Sequence, residues 1–201
     1  MIRYEKTLPG EMIHIDIKKL GRIEGVGHRI TGNRTGQSAP RSRKQGGKGG
    51  EYLDLAVDDH SRLAYSEILP DETRRSCLKF LFNALRFYRD HGVRVVRVMT
   101  DNTDNGVSFR SRRYTKALRM LKIKPKRTTP YPPRTNRKAE RFVPTSLREW
   151  ADAKPSNHSS EPAAALLPFL PNYNHHRPHF GINGRPPISR ISVNNLSRRD
   201  S

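Results

Sequence analysis

From Met12 to Leu20 the sequence reads MIHIDIKKL. Ile13, Ile15 and Ile17 alternate with His14, Asp16 and Lys18, the period of two that marks a half-buried β-strand. Asp16 therefore points to the face opposite the isoleucines. Tyr52 to Val57 (YLDLAV) alternates in the same way, as does LAYSEIL from Leu63. The polar DDHSR between them predicts an antiparallel hairpin. Asp58 and Asp59 are adjacent and read as turn residues rather than as a metal pair. From about Arg74 the period changes. Leu78, Leu81, Phe82, Leu85 and Tyr88 recur at helical spacing, with Cys77 in a packing role and Gly92 placed to end the helix. Val93 to Met99 predicts a fourth strand and Tyr114 to Leu121 a second helix. Ile123 to Lys126 predicts a short fifth strand. TTPYPPRTN is a proline-broken loop, and a further helix is expected from about Arg137 to Ala153. EPAAALLPFLPNYNHHRPH reads as partly helical, interrupted at Pro168 and Pro171. The order β-β-β-α-β-α-β-α-α predicts an α/β fold, a mixed five-stranded sheet flanked by helices.

Charge narrows the function classes. The 201 residues hold 39 Lys and Arg against 19 Asp and Glu, a formal net charge of +20. Nucleic acid is the commonest partner of so basic a chain, and arginine suits phosphate. Residues 21–50 hold seven basic side chains, one acidic one and nine of the 14 glycines, and are expected to form a flexible basic loop. A single cysteine excludes an internal disulfide and fits a reducing, cytoplasmic setting. No apolar run approaches a membrane span, and the N-terminus lacks the apolar stretch of a signal peptide.

Three carboxylates stand out by placement. Asp16 is in the middle of the first strand. Asp101 or Asp104, in the repeat MTDNTDNG, follows the fourth. Glu140 lies near the start of a helix after a polar loop. A parallel crossover can make the first and fourth strands neighbours, so these acids can meet at one sheet edge. Clustered carboxylates need a cation, and hard oxygen donors favour Mg²⁺ or Mn²⁺. Two such ions can drive phosphodiester chemistry.

Several blocks occur in one order along residues 9–190: HIDIKKLGRI, YLDLAVDDHSRLAYSEILPDE, the TDNG with its downstream FRS, TTPYPPRTNRKAERF, LREWA and YNHHRPHFGINGRPPISR. In these the chain resembles the integrase core domain of DDE-type insertion-sequence transposases, which has a ribonuclease H-like fold. The resemblance implies DNA cleavage and strand transfer at transposon ends, with two Mg²⁺ or Mn²⁺ ions, a homo-oligomer when active, and a nucleoid-associated location. It carries the first aspartate onto Asp16 and the glutamate onto Glu140. The family spacing between the second aspartate and the glutamate is 35 residues. Asp104 to Glu140 has 35 intervening residues and Asp101 to Glu140 has 38. Asp104 also has Gly106 two residues on, whereas Asp101 directly follows the strand. Asp104 is favoured, with Asp101 competing.

Lys18, Lys19, Arg134, Arg137, Lys138 and Arg141 are the expected DNA-binding residues. His175, His176 and His179, without cysteine partners, are not read as zinc ligands. Pro144 lies four residues after Glu140, where it disfavours a helix through both. The helix-turn-helix region usual in the family is missing ahead of the core. A truncated copy is therefore expected: a catalytic core over residues 1–190 and a disordered tail over 191–201. The alternative is an inactive DNA-binding remnant.

Overall fold

In the computed structural model, residues 5–20, 51–100, 109, 111–127 and 169–191 are described. The loop 21–50, the helix expected at 137–153, Pro144, Pro168 and the tail from residue 192 lie outside the described residues. Five strands make one sheet: β1 (Ile13–Leu20), β2 (Glu51–Asp58), β3 (Ala64–Leu69), β4 (Arg97–Thr100) and β5 (Lys124–Arg127). Their order is β3-β2-β1-β4-β5, so the strand carrying Asp16 is central. β1 and β3 flank β2 antiparallel, as the short hairpin requires. β4 joins β1 in parallel and β5 joins β4 in parallel. Each parallel step needs a crossover helix, supplied by α1 (Arg74–Asp90) and α2 (Arg112–Met120). The predicted strand and helix order is therefore the observed one through β5.

Local sequence explains the helix ends. The Thr73 hydroxyl accepts from the Ser76 N–H at 3.4 Å, and Ser111 does the same for Tyr114 at 3.3 Å. At the end of α1, Gly92 takes a φ of +72°. Its N–H donates to the Arg89 carbonyl at 2.9 Å, while the Val93 N–H donates to the Tyr88 carbonyl at 2.8 Å. That double closure is a Schellman motif, and it turns Val93 back into the core.

The core lies between the sheet and these helices. Ile13, Ile15 and Ile17 meet Ala56, Val98, Phe80, Leu81, Tyr88, Tyr114 and Leu118, all buried. Two expectations are corrected here. The buried stripe of α1 is Cys77, Phe80, Leu81, Ala84 and Tyr88, whereas Phe82 is 50% exposed. The helix turns its small residues, Cys77 and Ala84, toward the sheet, which allows close approach. The fourth strand is also shorter than Val93 to Met99. The Val93 N–H is spent on the helix cap, and the Val96 N–H donates to the Gly10 carbonyl at 2.8 Å, so pairing with β1 starts only at Val98. Pro171, expected to interrupt a helix, lies within helical residues 169–175. On that helix, the Asn174 side-chain amide accepts from the Ala64 N–H at 2.9 Å and donates to its carbonyl at 2.8 Å, docking it on the first residue of edge strand β3.

Gly10 holds the start of this arrangement. Its φ is +80°, and a Cβ there would stand 2.2 Å from the Arg94 carbonyl oxygen and 2.8 Å from Val93 Cγ1. Gly10→Ala is expected to cost about 2 kcal/mol through strain and displaced backbone. A urea titration of the variant checks this; an unchanged midpoint would contradict it.

Candidate functional site

Alternation along β1 puts His14, Asp16 and Lys18 on the face away from α1 and α2. The register places Leu53, Leu55 and Val57 of β2 and Met99 of β4 on the same face. These apolar side chains are buried and form the floor around Asp16. Asp16 itself is half-buried, and its Oδ1 accepts from the Ile17 N–H at 2.9 Å. Lys18 is exposed on the Asp16 face. Lys19 lies on the opposite face, where its ammonium sits 5.7 Å from the centre of the Tyr52 ring.

β4 ends level with this site. Ile15 pairs with Thr100, so the chain leaves β4 and enters the TDNTDNG repeat beside Asp16. Asp101, Asp104, Glu140, Arg134, Arg137, Lys138 and Arg141 lie outside the described residues. Among the described residues, no group of three His, Cys, Asp or Glu side chains stands close enough to hold a metal ion. His179 contacts the Tyr173 hydroxyl through Nε2 at 2.7 Å, and His175 and His176 are exposed.

The aspartates after β2 have structural partners. Asp58 accepts from the Gly10 N–H at 2.8 Å, the Ser61 N–H at 2.7 Å and the Ser61 hydroxyl at 2.6 Å. Burial raises its carboxyl above the usual range, and these hydrogen bonds pull it back. Asp59 accepts from the Lys6 N–H at 2.7 Å and is 2.8 Å from His14 Nε2, with both side chains buried. Arg62, in the left-handed region at φ 70°, donates to the Asp59 carbonyl and lies 3.8 Å from Glu5. DDHSR is thus a turn, as read, whose side chains fasten residues 6–10 and hold β1 in place. The buried His14–Asp59 pair and Arg62 carried no signal in the sequence beyond their residue types.

Asp54 is the unexpected acid. It faces α1 and α2, paired across strands with Ile17 on one side and Glu67 on the other. It is 1% exposed, and among the described residues neither carboxylate oxygen has a hydrogen-bond partner. Burial, with smaller contributions from the charges of Glu67, Asp16, Glu72 and Asp71, pushes its pKa up to about 8. The middle of the sheet therefore carries a carboxyl on each face, Asp16 on one and Asp54 on the other.

A family model described as integrase core domain matches residues 7–133, and a second model of the same description matches residues 121–187. A putative transposase InsD of insertion element IS2E from Escherichia coli K12 is 33% identical over 98 residues, 47% of this chain and 45% of that protein. The chain thus spans less than half the length of that relative. Among solved structures, a chain of the simian T-cell lymphotropic virus intasome aligns with a TM-score of 0.67 at 18% identity, over 94% of this chain and 57% of its own. The HTLV-2 integrase catalytic core domain in complex with magnesium aligns with a TM-score of 0.59 at 13% identity, over 92% of this chain and 99% of its own. At such identity these structures speak to the fold, which is ribonuclease H-like.

Proposed function

Because the chain belongs to the integrase core domain family, as found in DDE-type insertion-sequence transposases, we propose that it catalyses metal-dependent DNA strand cleavage and strand transfer. The observation that carries this reading is the half-buried Asp16 on the central strand, level with the end of β4 where the TDNTDNG repeat begins. Asp104 of that repeat is the second proposed ligand, with Asp101 competing, and Glu140 is the third. A carboxylate is a hard oxygen donor, which fits Mg²⁺ or Mn²⁺; the magnesium in the HTLV-2 core supports the same choice. Two such ions held by Asp16, Asp104 and Glu140 would supply Lewis-acid stabilisation of the attacking and leaving oxygens. The protein's own part is to keep Asp16 fixed on a rigid strand over an apolar floor. Lys18 beside it, with Arg134, Arg137, Lys138 and Arg141, is proposed to take DNA phosphates, and Lys19 to reach them from the Tyr52 side. Work as a homo-oligomer in the cytoplasm completes the proposal; among the described residues no helix is long and apolar enough to cross a membrane.

The test is nicking and strand transfer on a duplex carrying a pre-nicked transposon end, with Mn²⁺. The repeat is assigned in the same assay. Asp104→Asn is expected to remove activity and Asp101→Asn to retain it, and the reverse outcome moves the ligand to Asp101. DNA binding without any metal-dependent nicking would replace the catalytic reading with that of a DNA-binding remnant.

A further inference from the structure

Residues 111–127 carry Arg112, Arg113, Lys116, Arg119, Lys122, Lys124, Lys126 and Arg127, and no acidic residue. All eight cations are exposed. Among the described residues none of the eight is ion-paired, whereas on α1 both Arg86 and Arg89 lean on Asp90. Protein surfaces that serve only solubility intersperse both signs, because uncompensated like charges repel.

Geometry joins these cations into one surface. Tyr114 and Leu118 anchor α2 to the core, which leaves Arg112, Lys116 and Arg119 on an outward stripe at helical spacing. Seven residues of helix carry that stripe roughly 10 Å. β5 is the edge strand beside α2. Its register pairs Lys126 with Met99 and Lys124 with Arg97, and Met99 pairs with His14. Lys124 and Lys126 therefore project on the Asp16 face of the sheet, while α2 covers the other. The cations wrap around the sheet edge and arrive on the candidate site's face two strand spacings from β1, roughly 10 Å away. Edge lysines can serve simply to block strand addition. That accounts for β5 but not for the four cations of α2.

We propose that α2 and β5 form a second, non-catalytic interface that grips the phosphate backbone of duplex DNA and leads it around the sheet edge toward Asp16. The choice of DNA as occupant rests on the transposase reading above and on the continuity of this surface with that site. Arginine forks match phosphate oxygens. A strand of duplex presents one phosphate per roughly 3.4 Å of axis, so the α2 stripe spans about three.

The experiment removes equal charge from two helices of the full chain. Arg112→Gln/Lys116→Gln/Arg119→Gln on α2 is compared with Arg74→Gln/Arg75→Gln/Lys79→Gln, exposed residues of α1. Binding to a random-sequence duplex is followed by fluorescence anisotropy with EDTA, from about 50 to 200 mM salt. The α2 triple is expected to lower the slope of log affinity against log salt by roughly 2–3 and to weaken binding at least about 10-fold. The α1 triple should leave the slope nearly unchanged. Equal losses from both triples, or none from the α2 triple, would overturn the interface. So would loss of binding to phosphatidylserine vesicles with DNA binding intact. Matching urea midpoints for both variants keep folding out of the comparison. Because EDTA silences catalysis, the two readings fail separately: an α2-dependent binder that never nicks with Mn²⁺ keeps the interface and loses the catalytic assignment, while an active enzyme indifferent to the α2 triple does the opposite.

Discussion

Asp16→Asn is expected to lower metal-dependent nicking by at least about 100-fold while leaving DNA binding in EDTA intact. Asparagine keeps the side-chain shape and an oxygen for the Ile17 N–H, which Asp16 now engages at 2.9 Å. It loses the negative charge and the hard anionic donor. Changes to groups that merely orient a metal ligand cost roughly 10–100-fold, so loss of a ligand should cost no less. The substitution sits on a central strand with its backbone pairing intact, so the fold should persist. It also deletes one of the charges that hold Asp54 protonated, which makes the variant slightly more stable than the wild type at alkaline pH. Single-turnover nicking with Mn²⁺, read beside a urea titration, separates the two effects. Activity that survives Asp16→Asn at wild-type level would remove Asp16 from the site.

The second large effect concerns stability. Asp54→Asn should raise unfolding free energy above pH 8, and the gain should vanish near pH 4. The folded pKa is about 8 against an ordinary value of 3.8. The folded state therefore holds a proton that the unfolded chain releases, and stability falls as pH rises from about 4 to about 8, then levels off. A shift of this size corresponds to at most roughly 6 kcal/mol. The new amide and the protonated carboxyl it replaces are both buried polar groups, so their desolvation costs largely cancel and the gain above pH 8 approaches this limit. Urea midpoints at pH 5 and pH 8.5, in EDTA, measure it. Parallel pH dependences for the two proteins would show that Asp54 stays charged in the fold.

Asp54 also marks a limit of reading this chain from its pattern. YLDLAV alternates, and the alternation yields a strand, but not the side on which the helices will land. Here they land on Tyr52, Asp54 and Ala56, while Leu53 and Leu55 are buried on the other face. A strand covered on both faces has no polar side, and only tertiary packing reveals that an acid is trapped. The same reason displaced the α1 stripe. Phe80 and Phe82 are equally apolar, and the choice between them fell to the small residues, Cys77 and Ala84, that share a face with Phe80. The sequence of elements, the β2–β3 hairpin and the place of Asp16 in the middle of β1 were legible because period, hairpin and crossover each follow from local rules. The pair His14–Asp59 was not, because its members are 45 residues apart and meet only through the β1–β2 pairing.

The central position of β1 has a consequence for the nascent chain. Its neighbour β2 follows after 30 residues, but the strand on its other side, β4, begins only at Arg97. At roughly 5–20 residues per second of translation, β1 waits about 4–15 s for that partner. During this interval an isoleucine-rich strand offers unpaired peptide groups along one flank, a template for intermolecular pairing. Chaperone dependence of soluble yield should therefore be set by the delay between β1 and β4, and shortening the linker at 21–50 should reduce it more than any change to the finished core.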